Sequence, residues 1–401
     1  MNIICLSNQL WDSRTPTNKF QVMSRLSRLG HNVIFVDPPI NFGRVLFQQF
    51  QRKLWNLKRF LLGYKMPNEN VLNFTPINFI PFGFINSFFH AIKILILSKF
   101  YFKNKEPIVV WIYHVQISNI ENYLRILPYN ILIYDCVDEY SAFPRDNKII
   151  GTLTKNLEAQ ERLLTEKADL VFATTPALVN KLKEYSNNPE KVFWTPNVGD
   201  YEKFKNSKKL KYNLPSDIAS IPRPVVGFVG ALDDYKFDKA LVRKIAQTYP
   251  NYSLVIIGPL AIKDKDATDD DLGFTEFKNV YFLGFKPYDD IPKYFAGFDV
   301  FIIPYVLNEY TVGGCFPIKF HDALAAGIPT VVTNLPAYEP FKKVSYISKN
   351  PDEFVKNIEL ALDEDNAMRM KERQDIAKEN SWEKKVEKLV NLIEAELKSK
   401  K

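Results

Sequence analysis

The stretch Pro317–Pro329, PIKFHDALAAGIP, decides how this chain is read. It carries the start and stop signals of a short helix in their usual order. Gly313 and Gly314 precede it, Pro317 takes the first helical position, and Gly327 with Pro329 closes it. The apolar run Val300 to Ile303 leads into the segment and another, Thr330 to Val332, leaves it. A helix opening at the carboxyl end of a parallel strand is where open α/β sheets bind ligands. Free N–H groups and partial positive charge at a helix start favour phosphate oxygens, and two glycines allow close backbone approach. Lys319 adds a full charge in the first turn. Asp322 lies on the same face one turn deeper, where a carboxylate accepts bonds from ribose or sugar hydroxyls. An isolated K-x-x-D is commonly an exposed helical ion pair; the flanking strands are what favour a nucleoside-diphosphate site as the expectation here.

Working outward, two α/β halves emerge. In the first, IICL, VIFVD, IVVWIY, ILIYD and DLVFAT are short β-branched runs separated by helical stretches such as Asn18 to Leu29 and Leu153 to Lys167. In the second, VVGFVG, SLVIIG, VYFLG, VFIIP and TVVT repeat the pattern. Alternating strands and helices imply parallel sheets. At 401 residues and 46% hydrophobic, the chain can bury two cores. The polar, lysine-rich stretch Tyr201 to Pro224 follows a boundary near Asn197 to Asp200. Expected domains are residues 1–199, 200–380, and a terminal helix over 381–401.

The run IPYVLNEYTVGGCFPIKFHDALAAGIPTVV resembles the donor-nucleotide motif of GT-B glycosyltransferases, in the branch written P-Y-x-x-N, then P-L-K-x-x-E-Y-L-A-x-G-x-P. Pro304, Tyr305, Asn308, Thr311, Pro317, Lys319, Asp322, Leu324, Ala325, Gly327 and Pro329 fit it. LGHNVIFVDPP, VFWTPNVGDYEKF and VGFVGALDDYKFD fall in the same order as the family's other motifs. The resemblance, to family-four-like and glucuronosyltransferase-like bacterial polysaccharide enzymes, covers most of the chain and is weakest over residues 40–105. It implies a GT-B fold: two Rossmann-like parallel-sheet domains facing across a cleft, an N-terminal acceptor domain and a C-terminal donor domain. The terminal helix would cross back onto the first. It further implies a UDP- or GDP-linked sugar donor, and a glycan or polyprenyl-linked acceptor in surface polysaccharide synthesis. Donor-binding residues would be Gly230, Lys236, Tyr305, Asn308, Thr311, Gly313, Gly314, Lys319 and Asp322.

The sequence departs from this pattern in two places. Retaining relatives carry E-x7-E, whereas eight residues before Asp322 stands Gly314; and where they carry an Arg and a Lys after the first strand of the second domain, GALDDYKFD offers only Lys236. Both favour inversion at the anomeric carbon, with diphosphate charge met by Lys319 and the helix terminus. A nucleotide-sugar epimerase or phosphorylase on the same fold, or a silent nucleotide-sugar-binding subunit, are the alternatives.

A base is sought in the first half, because glycosyl transfer requires an acceptor hydroxyl to lose its proton. YDCVDEY places Asp138 and Glu139 on the loop after an apolar strand, where neighbouring carboxylates raise one another's pKa. The resemblance favours Asp138, then Glu139. His114, ending WIYH, is a third candidate, though a lone histidine is more often structural.

Charge is asymmetric. Before residue 131 fifteen Lys/Arg face five Asp/Glu, giving +10 against a total of +7, so the remainder carries −3. Phe42 to Leu62 sets Leu46, Phe50, Leu54, Leu57 and Leu61 on one helical face ringed by Arg44, Arg52, Lys53, Lys58 and Arg59. This pattern suits either an interfacial helix on an anionic membrane or one packed on the first sheet. Residues 82–102 are apolar but interrupted by Asn86, His90, Lys93 and Lys99, so they are not expected to span a bilayer. The start MNIICLSN carries no secretory pattern, and Cys5, Cys136 and Cys315 have no metal-ligand spacing. A cytoplasmic, peripherally membrane-bound protein with no required metal is the expectation. Asp264, Asp266 and the run Asp269 to Asp271 read as a solvated loop rather than a D-x-D clamp. No nucleic-acid module, G-x-G-x-x-G or phosphate-loop lysine motif accompanies the basic charge.

Overall fold

The computed structural model describes residues 1–13, 16–43, 63–139, 157–260 and 273–400. Most of the basic segment Phe42 to Leu62, and the acidic loop around Asp264 to Asp271, lie outside the described residues. Contacts divide the chain into two units, Met1–Thr195 with Val386–Lys401, and Pro196–Lys385.

Unit 1 is built on an eight-stranded sheet. Its strands are β1 (Asn2–Leu6) and β2 (Asn32–Val36), then, after a short β3 (Ile40–Asn41), β4 (Tyr64–Asn68) and β5 (Val71–Phe74). After β6 (Ile77–Asn78) come β7 (Ile108–Ile112), β8 (Ile131–Cys136), β9 (Leu170–Ala173) and β10 (Val192–Trp194). The order is β10-β9-β8-β7-β1-β2-β5-β4, with β3 and β6 paired separately. Every ladder in the large sheet is parallel except β4 with β5. Every residue of β1 and β8 is buried, which explains why these strands read as continuous apolar runs instead of alternating ones. Strand order reverses about β1, so the carboxyl ends of β1 and β7 bound a switch-point crevice. Flanking helices include α1 (Asn18–Arg28), α2 (Gly83–Tyr101), α3 (Leu157–Lys167) and α4 (Pro176–Tyr185).

Unit 2 holds a six-stranded, wholly parallel sheet of β11 (Val225–Val229), β12 (Ser253–Ile257), β13 (Val280–Gly284), β14 (Val300–Ile303), β15 (Thr330–Thr333) and β16 (Tyr346–Ser348). The order β13-β12-β11-β14-β15-β16 again reverses at its first strand, now between β11 and β14. Helix α5 (Lys239–Thr248) buries Leu241, Val242, Ile245 and Ala246 against this sheet, and Asp238 caps it by accepting from the Leu241 N–H at 2.9 Å. Beyond β14 come α6 (Glu309–Gly314) and α7 (Ile318–Ala325), and after β16 the pair α8 (Pro351–Asp363) and α9 (Ala367–Glu379). The last helix, α10 (Trp382–Ser399), belongs to unit 2 through Lys385 and to unit 1 from Val386.

The decisive segment is helical with two corrections. Pro317 is the residue before the helix, extended at ψ 123°, and α7 starts at Ile318; a proline's fixed φ suits either position. Gly313 and Gly314 do not form an open phosphate loop but close α6, three residues upstream. Asn308 drives that helix: its side chain accepts from the Thr311 N–H at 2.9 Å while the Thr311 hydroxyl accepts from the Asn308 N–H at 3.0 Å, a reciprocal cap. The stop is as expected. Gly327 has φ +76°, its N–H reaches Leu324 O at 2.9 Å and the Ile328 N–H reaches Ala323 O at 3.0 Å, closing the helix end.

Candidate functional site

In unit 2 the loops leaving β11 and β14 are laced together. Val306 N–H donates to Lys236 O at 2.7 Å, Asp238 N–H to Pro304 O at 2.9 Å, and the Asn308 amide to Tyr235 O at 2.6 Å. Asn308 and the fully buried Thr311, whose hydroxyl reaches Val306 O at 2.6 Å, therefore build the frame. Onto it project two lysines. Lys236 pairs with Asp233 at 3.0 Å. Burial works against its charge, but Tyr305 and Asp233 outweigh that and hold it above the ordinary lysine range. Lys319, from the first turn of α7, lies 4.3 Å from the centre of the Phe228 ring and 5.3 Å from that of Tyr305. Among the described residues no carboxylate pairs with it. Burial, and then the Lys236 charge, push it down to about 7.

Gly230 explains how the ammonium fits. A Cβ there would stand 1.9 Å from Lys319 Nζ, so only a glycine at the end of β11 lets the lysine cross the strand terminus. Gly230, Lys236, Tyr305 and Lys319 thus converge at the carboxyl ends of β11 and β14. Lys319 adds a second lysine beside the Lys236–Asp233 pair, which leaves a positive centre suited to an anion. Asp322 is 5% exposed, and its Oδ1 accepts from the Asp200 N–H at 2.8 Å, tying α7 to the segment that opens unit 2. Beside it His321 is fully buried among the rings of Phe316, Phe320 and Phe341, with neither ring nitrogen hydrogen-bonded among the described residues. Burial takes it down to about 3.

Unit 1 gathers titratable groups at the carboxyl ends of β1, β7 and β8. Asp135 is fully buried and accepts from Trp111 Nε1 at 3.1 Å. Asp138 follows on the loop, partly exposed. His114 closes β7; its Nδ1 accepts from the Gln116 N–H at 3.1 Å, and burial followed by the Lys19 charge takes it down to about 3. The ring is neutral at physiological pH. Glu139 is held by Lys181 at 2.6 Å, and the same lysine binds Glu161 at 2.8 Å. Of the three candidate bases, Asp138 is therefore set apart from Glu139, whose carboxylate bridges to α4. Sequence reasoning missed Lys19, 6% exposed in the first turn of α1, whose pKa burial lowers while Asp138 and Asp135 act to raise it. Its only signal was a lone lysine among the apolar neighbours Phe20, Val22 and Met23. Asp233 was legible as an i,i+3 partner of Lys236 but was not singled out. No cluster of three or more metal-ligating side chains occurs among the described residues.

Both sheets and the placement of these groups define a fold that solved structures share. The chain superposes on sucrose-phosphate synthase from Thermosynechococcus elongatus with TM-score 0.69 at 14% identity, covering 98% of each chain. Anabaena HepE in complex with UDP-glucose gives 0.64 at 17%, covering 98% of this chain and 100% of HepE. An E. coli trehalose-6-phosphate structure bound with UDP-2-fluoro glucose gives 0.68 at 12%, covering 98% of both. This is the GT-B glycosyltransferase fold. Within it, residues 223–364, which hold the whole lysine site, match the family described as Glycosyl transferases group 1. A Bacillus subtilis protein assigned as a teichuronic acid biosynthesis glycosyltransferase, TuaH, is 28% identical over 262 residues, 63% of this chain and 64% of TuaH, so the match spans under two thirds of that relative.

Proposed function

We propose that the chain is a nucleotide-sugar-dependent glycosyltransferase acting in polysaccharide synthesis. The observation that carries this reading is Lys319: a desolvated ammonium over Gly230 that pairs with no carboxylate among the described residues, at a switch point, inside the region that matches group 1 glycosyl transferases. HepE and the E. coli trehalose-6-phosphate structure hold uridine diphosphate sugars, which supports a nucleoside-diphosphate sugar as donor; we propose a UDP- or GDP-linked one, used without a metal. In the reaction, an acceptor hydroxyl oxygen bonds to the anomeric carbon as the bond from that carbon to the β-phosphate oxygen breaks. The electron pair leaves on the diphosphate, where Lys319 and Lys236 offset its charge. We assign the hydroxyl proton to Asp138. Inversion is favoured because Gly314 stands where a retaining enzyme has a glutamate, and Asp322 already accepts the Asp200 N–H. The acceptor is a glycan or polyprenyl-linked chain at the cytoplasmic face of a membrane, a reading that the assignment of TuaH to teichuronic acid synthesis supports.

Thermal-shift screening against UDP-, GDP-, TDP- and ADP-sugars tests the donor; at a hundred times its dissociation constant a ligand stabilises by about 2.7 kcal/mol. Lys319→Ala should abolish the shift. Asp138→Asn should keep it and lose turnover by at least a hundredfold, roughly what removing a general base costs. Full turnover in Asp138→Asn removes that residue from the reaction, sugar isomerised without acceptor makes the chain an epimerase, and donor binding with no turnover toward any acceptor makes it a silent subunit.

A further inference from the structure

Helix α2 is apolar on its outer face as well as its inner one. Its face toward the protein buries Ala91, Ile94 and Leu97 together with Asn86, Ser87, His90 and Ser98, while its outer face carries Phe84, Phe88, Phe89, Ile96 and Phe100. The outer face of a water-exposed helix is ordinarily polar. The orientation is built, because the inward polar groups are bonded. Asn86 Nδ2 donates to Ile80 O at 2.6 Å, Ser87 Oγ accepts from the Asn122 amide at 2.8 Å, and His90 Nε2 meets Ile77 O at 3.0 Å. Turning the helix over would break these bonds. The apolar face continues into the preceding loop, where Phe79 and Phe82 are 68% and 64% exposed; Phe89 and Phe100 are 61% and 78% exposed. These side chains leave roughly 500 Å² of apolar surface uncovered, at the upper end of what a soluble monomer shows. Behind them lies a cavity of about 430 Å³ lined by Phe74, Ile77, Phe79, Ile80 and Phe89, with Lys93 among its walls.

Charge decides the occupant. Residues 79–105 contain Lys93, Lys99, Lys103 and Lys105 and no Asp or Glu, and Lys93 and Lys99 stand exposed on the apolar face itself. A second copy of the chain docked symmetrically here would bring like charges together with no carboxylate from this segment to meet them. A surface of hydrocarbon topped by phosphates matches both features. Length and composition alone would let α2 cross a bilayer, but its bonded polar face commits one side to unit 1. We propose that this face docks the chain on an anionic lipid bilayer. Phe79, Phe82 and Phe89 enter the boundary between headgroups and acyl chains, and Lys93 and Lys99 pair with lipid phosphates. The proposal deepens the reading above by naming the surface that presents the acceptor. Its test uses neither donor nor acceptor, so the two can fail separately.

The test is sedimentation of the full chain with vesicles of phosphatidylcholine alone or containing about 30% phosphatidylglycerol, at low and high salt. Binding is expected to the anionic vesicles and to weaken with salt. Phe82→Ser with Phe89→Ser should weaken it at least about tenfold. Lys93→Gln with Lys99→Gln should weaken it about twentyfold at low salt. Neither pair should alter the thermal melting seen by circular dichroism, since these side chains are exposed. Three results overturn the proposal: vesicle binding that neither pair of substitutions changes, a dimer in solution abolished by the phenylalanine pair, or a chain from cell membranes that resists alkaline carbonate extraction.

Discussion

If Lys319 grips a diphosphate, donor affinity must depend on pH in a way fixed by the empty site. In the free chain the ammonium sits at about 7; a diphosphate beside it restores a pKa near the model lysine value, around 10. Binding therefore takes up a proton above neutrality. The affinity is whole below pH 7 and falls as pH rises toward the bound-state pKa. Protonated Lys319 makes up about nine tenths of the free chain at pH 6 and about one hundredth at pH 9, so the dissociation constant should rise about ninetyfold, or about 2.7 kcal/mol. Isothermal titration of the nucleotide sugar chosen by the thermal-shift screen, in buffers of differing ionisation enthalpy, reads both affinity and proton uptake. Lys319→Arg should flatten the profile, because a guanidinium stays charged throughout. A wild-type affinity constant from pH 6 to 9 with no proton uptake would refute the reasoning. The same depression acts on folding. The unfolded lysine binds more protons than the folded one between about 7 and 10, so this residue costs stability at and below pH 7 and the cost fades as pH rises. Discounted for its partial exposure, the cost is roughly 2 kcal/mol. Lys319→Met should therefore melt several degrees higher at pH 7, about 4 to 8 °C for a unit of this size, while losing the donor.

Asp322→Ala removes the acceptor of a buried N–H, and denaturant titration should show unit 2 destabilised by about 2 kcal/mol, with Asp322→Asn less affected. Lys181→Met leaves Glu139 and the 4% exposed Glu161 side chain without their shared cation; a loss of about 3 kcal/mol is expected in chemical unfolding of unit 1. Gly230→Ala sets a methyl on the Lys319 ammonium, so donor binding measured by thermal shift should fall at least about tenfold with the fold intact by circular dichroism.

What the sequence shows and hides follows from how local each determinant is. β1, β7, β8, β11 and β14 are buried on both faces, so unbroken β-branched runs announce them. The edge strand β4 hides because YKMPN is polar, half exposed and contains Pro67, which an edge tolerates. Gly313 and Gly314 read as a loop because glycine disfavours helix; the Asn308 and Thr311 cap overrides that preference. In α2, apolar residues occupy nearly every turn, and only the bonds of Asn86 and His90 to β6 and its flanking loop reveal which face is inside. Lys319 was legible from its helix start. The engagement of Asp322 was not, because Asp200 lies 122 residues away in sequence. Lys19 looked like any surface lysine, since its neighbours Asp135 and Asp138 reach it only through the sheet.

The two silent imidazoles, His114 in unit 1 and His321 in unit 2, give the molecule a built-in sensitivity to acid. Each stays neutral when folded down to about pH 3, yet would accept a proton near 6.5 once released. Below that value the unfolded form binds more protons, so every unit of acidification erodes each half by up to about 1.4 kcal/mol. By pH 5 each has lost about 2 kcal/mol from one ring alone, a sizeable part of the margin an ordinary domain possesses. Neutral surroundings are thus written into the interior of both halves, by two buried rings.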